Sequence, residues 1–209
     1  MIGVEDRGLM RVVTLDRPDK ANALTETMLA SLAEAAEAAR DDAAAGTGAR
    51  ALVLTGTGKV FSAGADIDAA RAGLATSPLW ERLSGAIAGH SGITIAALNG
   101  SCAGGAMGMI LACDLRLATP GAKLFYPVMK LGFLPQPSDP GRLRALVGPA
   151  RAKRILMAGE KVTAEEALAW GLVDHLAASE DLVQTAENLA ADVLAASPDH
   201  ASAIKHLIG

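Results

Sequence analysis

IAALNGSCAGGAMGMILACDLRLA, residues 95–118, decides the fold of this chain of 209 residues. It opens inside Thr94–Leu98, an unbroken apolar run stopped by Asn99-Gly100, the pattern of a strand covered on both faces. The segment GGAMGMILACD that follows is apolar throughout and reads as a buried helix, and Leu115–Ala118 reads as a further strand. Strand, helix and strand in that order predict a mainly parallel sheet with crossover helices.

The same reading extends outward. Ala51–Leu54 (ALVL), ending at Thr55-Gly56, is a second doubly covered strand. Met10–Leu15 (MRVVTL), β-branched and short between Gly8 and the turn-forming RPDKAN, reads as a strand. From Leu24 to Ala44, Met28, Leu29, Leu32, Ala35, Ala36 and Ala39 recur at helical spacing, which predicts an amphipathic helix. Beyond Ser138 the pattern turns largely helical. Thr163-Ala-Glu-Glu166 is a capping box whose helix stops at Gly171, and residues 180–196 form another helix broken by Ser197-Pro198. No internal repeat or low-complexity linker interrupts the chain. The expected division is a core over 1–137 and a helical region over 138–209.

Hydrophobic residues make up 51% and charged residues 20%, a globular composition. With aromatics at 3%, the core must be built from aliphatic side chains. A formal net charge of −4 offers no basic excess for nucleic acid or an anionic membrane. The basic cluster Arg151–Arg154 reads as one exposed helical face. Cys102 and Cys113 are too few for a disulfide scaffold or zinc site, so buried free thiols and no metal are expected. The N-terminus lacks a signal-peptide pattern, and Ile93–Leu98 is too short to span a bilayer. The expected location is the cytoplasm.

Two glycine-bearing segments follow buried strands: Ser62-Ala-Gly-Ala-Asp-Ile67 and Asn99-Gly-Ser-Cys-Ala-Gly-Gly-Ala-Met-Gly108. Ligands of parallel sheets collect at the carboxyl ends of strands, and glycine lets backbone N–H groups approach them closely. A helix opening at Gly105 aims its positive end at the same point. Two such donors make an oxyanion hole suited to a thioester carbonyl becoming an enolate. Each segment alone could equally be a tight turn. Ser101 as a hydrolase nucleophile lacks the G-x-S-x-G spacing, and no G-x-G-x-x-G supports dinucleotide binding. None of His90, His175, His200 and His206 lies in a motif.

Taken together, LDRPDKANAL (15–24), ALVLTGTGKVFSAGADI (51–67), residues 95–118, KLGFLP (130–135) and LVGPARAKRILMAGEKVTAEEALAWGLVD (146–174) resemble the enoyl-CoA hydratase/isomerase (crotonase) superfamily. That resemblance implies an α/β crotonase-like (ClpP/crotonase) spiral of β-β-α units with a short C-terminal helical segment. It implies an acyl-coenzyme A thioester as ligand, no separate cofactor, and a homo-oligomer, a trimer or hexamer. It places oxyanion-hole N–H donors at Ala65 and Gly105, and coenzyme A contacts at Lys20, Ala21, Ala23, Ala63, Asp66 and Ile67. Asp66 and Asp114 also read as structural acids that cap or accept backbone N–H groups. Family chains usually continue with further helices after the segment matching SPDHASAIKHLIG.

The chain departs from the hydratases at their two glutamates. Those positions hold Gly108 and Val128 here, and Gln136 stands where some relatives carry an aspartate. No acid occurs from Gly100 to Ala112 or from Ala118 to Ser138. Asp139, the next carboxylate, reads as an N-cap before Pro140, and Tyr126 as a packed ring with a tethered hydroxyl. The expected function is acyl-CoA binding with enolate stabilisation, in fatty acid metabolism as a lyase or isomerase and not as an ordinary hydratase. The alternative is a catalytically silent acyl-CoA carrier.

Overall fold

A computed structural model describes residues 1–208 of the chain. The N-terminal part runs β1 (Ile2–Arg7), β2 (Met10–Leu15), α1 (Glu26–Ala45), β3 (Ala51–Gly56), β4 (Val60–Ser62), α2 (Ile67–Arg71) and α3 (Leu79–Ala88). The middle runs β5 (Ile93–Leu98), β6 (Ser101–Ala103), α4 (Ala106–Leu111), β7 (Leu115–Ala118), β8 (Lys123–Phe125) and α5 (Val128–Leu131). It ends with α6 (Asp139–Leu156), β9 (Val162–Thr163), α7 (Ala164–Trp170), β10 (His175–Leu176), α8 (Leu182–Ala195) and α9 (Pro198–Ile208).

Two sheets result. One has the order β1-β2-β3-β5-β7-β10, the other β4-β6-β8-β9. Strands β3, β5 and β7 of the first sheet each hand the chain to a short strand of the second, and then to a helix. This is the β-β-α spiral. The pairs β2–β3, β3–β5 and β5–β7 are parallel, as are β4–β6 and β6–β8. The short strands β4, β6 and β8 are invisible to a search for apolar runs, because three residues carry no periodicity.

Period-2 alternation assigns the faces of the large sheet. Leu52 and Leu54 of β3, Ala96 and Leu98 of β5, and Val13 and Leu15 of β2 enter the main core with α1 and α3. Their alternates, Ala51, Val53, Ile95, Ala97, Met10 and Val12, pack against Leu182, Ala186 and Ala190 of α8. Both faces are therefore covered, as the unbroken apolar runs require. Residues 138–208 also contribute two strands: β9 pairs with β8 and β10 with β7, so this region is stitched into both sheets.

Arg116 locks the end of that stitch. Its guanidinium, 2% exposed, donates to the carbonyls of Leu172, Cys113 and Asp114 and to Asp174 at 3.1 Å. His90 is buried; its Nδ1 accepts the Gly92 N–H, which leaves Nε2–H to donate to the Ala49 carbonyl at 3.1 Å. Desolvation keeps this ring below its ordinary pKa. Cys102 and Cys113 are buried free thiols, and burial raises both.

Candidate active site

The two glycine segments meet. Because β4 and β6 pair side by side, the chain leaves both strands at the same edge of the small sheet. Gly64 has φ +88°, and a Cβ there would lie 2.7 Å from the Ala103 carbonyl and 3.2 Å from the Gly105 nitrogen. Only glycine permits that backbone and that approach. Ser62 organises the first loop: its Oγ donates to the Asn22 carbonyl at 2.8 Å and accepts the Gly64 N–H at 3.1 Å.

Asn22 is the anchor behind it. Fully buried in a left-handed conformation (φ 52°), it accepts the Arg17 N–H and donates its amide to the carbonyls of Thr57 and Val60. The Ala63 N–H donates to Ala21, Leu24 to Gly64, and Asp66 to Leu24, so the loop is laced to the chain between β2 and α1. The second loop is held by the Gly104 N–H, which donates to Phe125 at 3.1 Å. Among the described residues, neither the Ala65 nor the Gly105 N–H donates to a protein acceptor.

Ala65 and Gly105 line one cavity of about 730 Å³. Its wall is mostly apolar: Ala63, Ile67, Trp80, Ala103, Phe125, Val128, Leu131, Phe133 and Leu134 among others. Arg71, Lys123 and Lys161 are its charged residues, and among the described residues no carboxylate lines it. Trp80 forms the floor beneath the second loop. A Cβ on Gly105 would lie 2.9 Å from its ring, while the indole N–H donates to Leu74 at 2.7 Å. Nothing in the spacing of the sequence marks Trp80; it arrives from α3 through the packing of α3 against α4.

Of the coenzyme A positions expected from resemblance, Ala21, Ala63 and Ile67 line the cavity, whereas Lys20 and Ala23 do not. Lys20 is exposed on the turn Pro18–Lys20, and the Ala23 carbonyl is taken by Arg17. Asp66 is committed elsewhere. It N-caps α2, accepting from Asp68 and Ala69, and pairs with Arg17 at 2.9 Å, which holds its carboxyl below the usual range. Asp114 accepts from the Thr94 N–H and hydroxyl and pairs with Lys205. Ser101 lines the cavity, but its Oγ accepts the Lys123 N–H, and among the described residues no histidine lines the wall, so no hydrolase triad assembles.

Val128 and Gln136 lie in the wall as apolar and amide groups; the Gln136 amide donates to Ala75 at 3.0 Å. Gly108 is buried in α4. The reading of Asp139 as an N-cap is overturned: Ser138 occupies that position, and its hydroxyl and N–H both donate to Glu81 of α3. Asp139 instead turns inward and is 1% exposed. A Cβ on Gly108 would stand 2.8 Å from Asp139 Oδ1, so the carboxylate fills the space that a longer residue at 108 would claim.

Tyr126, in the cavity wall, donates its hydroxyl to Asp139 Oδ2 at 2.9 Å and accepts the Gln136 N–H at 3.4 Å. Asp139 Oδ1 has no partner among the described residues. Burial pushes Asp139 up to about 6, with Glu81 adding to the effect and Tyr126 and Arg142 opposing it; burial and Asp139 push Tyr126 upward too. Asp139 lies 31 positions from Gly108 and 11 from Val128 in the chain, so spacing alone does not reveal that its carboxylate fills the space beside Gly108.

The family model for enoyl-CoA hydratase/isomerase matches residues 6–208. YngF of Bacillus subtilis (strain 168) is 38% identical over 195 residues, spanning 90% of this chain and 74% of that protein. A carnitinyl-CoA dehydratase of Salmonella enteritidis PT4 is 36% identical over 202 residues, spanning 93% and 75%. Among solved structures, DspI of Pseudomonas aeruginosa superposes with a TM-score of 0.87 at 35% identity, covering 99% of this chain and 85% of that one. An enoyl-CoA hydratase of Bacillus anthracis gives 0.89 at 28% identity, covering 99% and 81%. By spiral, loop pair and sequence alike, this chain belongs to the enoyl-CoA hydratase/isomerase (crotonase) family.

Proposed function

We propose that the protein binds an acyl-CoA thioester with its carbonyl oxygen between the N–H groups of Ala65 and Gly105, and stabilises the enolate formed there. One observation carries this reading: two residues whose backbone N–H groups have no protein acceptor among the described residues, Ala65 and Gly105, sit on loops packed against each other and line one mostly apolar cavity. Preorganised donors need no rearrangement as charge develops, and losing one typically costs about 3 kcal/mol of transition-state stabilisation. The start of α4 at Ala106 adds a favourable backbone dipole on the same side. The apolar wall suits the acyl chain. Arg71, Lys123 and Lys161, in place of Lys20, suit the phosphates of coenzyme A.

Hydration is not the expected reaction. It needs one group to activate water and one to protonate carbon, and Gly108 and Val128 supply neither. Chemistry that only makes and discharges an enolate suits the site better, as in an isomerase or a lyase.

Titration with acetoacetyl-CoA tests this. Its enolate absorbs where the keto form does not. The expected result is an enolate band and binding at least about tenfold tighter than that of free coenzyme A, the size of one modest hydrogen-bond advantage. Equal affinity without the band would leave a silent acyl-CoA carrier. No binding of either ligand would remove acyl-CoA from the reading altogether.

A further inference from the structure

We propose that Tyr126 and Asp139 together are the proton carrier of this site, replacing the carboxylates absent at Gly108 and Val128, with Tyr126 as the catalytic residue and Asp139 acting through it. This rests on the enolate-binding reading above. Four observations support it. Asp139 packs on Gly108, where the hydratases' first glutamate begins, so the loss of one side chain makes room for the other. Its carboxyl is buried and one of its oxygens has no partner among the described residues, an arrangement that costs stability. The other oxygen is bonded to the one tyrosine of the chain, which stands in the cavity wall beside Gln136. The Ser138 N–H and hydroxyl, both held by Glu81, fix the residue before Asp139 against α3.

The step balances without a co-reactant. The Tyr126 oxygen takes a proton from the acyl α-carbon while the Tyr126 hydroxyl proton passes to Asp139 Oδ2. The C–H electron pair becomes the enolate held by Ala65 and Gly105. Running backwards at the γ-carbon of a β,γ-unsaturated thioester, after the carried proton exchanges with solvent while the enolate is held, the same transfer delivers a proton and moves the double bond into conjugation. The substrate class is therefore an acyl-CoA with an activated α-hydrogen, and the reaction a 1,3-proton shift.

Ionisation of Asp139 sets when the pair can work. The charged and titratable groups facing it are Tyr126, Glu81 from α3 and Arg142 from its own helix; α4 contributes only apolar residues and Gly108. Burial raises its pKa to about 6, so the proton-accepting carboxylate prevails above that pH and Tyr126 stays protonated throughout.

But-3-enoyl-CoA in deuterated buffer is the test, with deuterium at the α- and γ-carbons followed by NMR. Wild-type protein should incorporate label at a rate that rises with pH and levels off above a midpoint near 6. Tyr126→Phe and Asp139→Asn should each lower that rate by about 100-fold or more, with coenzyme A affinity held within about twofold. Asp139→Glu should keep part of the rate with a displaced midpoint. Exchange unaltered in both variants, a rate that falls only in step with coenzyme A binding, or a flat wild-type profile between about pH 5 and pH 8 would each overturn the proposal. The wild-type profile needs no variant to fold. An enolate band from acetoacetyl-CoA with no label uptake from but-3-enoyl-CoA would sink the proton carrier while leaving the enolate site standing.

Discussion

Asp139 carries a cost that can be measured apart from any reaction. Its carboxyl ionises near 3.8 when exposed and near 6 in the fold, so the native state holds its proton more tightly than the unfolded chain. Between those values the native state binds more protons, and stability falls as pH rises. Above pH 6 the whole penalty is present, on the order of 1–3 kcal/mol for a shift of this direction and size. An asparagine side chain in its place would carry no charge at any pH. Asp139→Asn is therefore expected to stabilise the protein by that amount at pH 8 and by about half as much at pH 5, read from urea unfolding midpoints. A variant destabilised equally at both pH values would mean that the hydrogen bond outweighs the buried charge. Gly64 is the other residue under strain. Gly64→Ala forces a Cβ against the Ala103 carbonyl at a φ of +88°, and should cost about 2 kcal/mol of stability. By spreading the two loops it should abolish the acetoacetyl-CoA enolate band while sparing coenzyme A binding.

Elements far from the cavity hold its walls through identifiable ends. In α7 the Thr163 hydroxyl accepts the Glu166 N–H, and the Glu166 carboxylate accepts the Thr163 N–H; Gly171 closes the helix at φ 77°. The capping box was legible from four letters of sequence because its hydrogen bonds are local. Arg151 and Arg154 of α6, expected as a solvated basic face, lie over the Trp170 ring at 5.3 and 4.6 Å and join α6 to α7. Thr163→Ala is predicted to cost about 1 kcal/mol in chemical unfolding. Because β9 touches the cavity strand β8, the same variant should loosen Lys123 and Lys161 and weaken coenzyme A binding modestly, a few-fold at most.

At the scale of the molecule, apolar surface remains uncovered. Leu134 on the cavity rim and Leu207 on α9 are each 87% exposed, Ile208 82%, and α9 buries none of its residues. Exposed apolar faces of this kind mark association surfaces, and family likeness points to a homotrimer or a dimer of trimers. Light scattering at micromolar concentration should return such a mass, and Leu207→Asp with Ile208→Asp should lower it. A wild-type monomer would overturn the expectation. No helix among the described residues is long and apolar enough to cross a membrane.

Local and periodic information was legible in the chain: the doubly covered strands, the amphipathic helix after RPDKAN, the capping box, and the two glycine loops whose spacing carries the family likeness. Each depends on neighbours within a few residues, or on a strand's own alternation. What only tertiary packing decided is which groups share a space. Strands β4 and β6, too short for any pattern, bring Gly64 onto Ala103. Trp80 reaches Gly105 from α3, and Asp139 turns from a helix end into the hollow beside Gly108 to meet Tyr126. The physical reason is the same in each case. A glycine in a sequence says that a Cβ is missing, but only the fold determines what occupies the vacated volume.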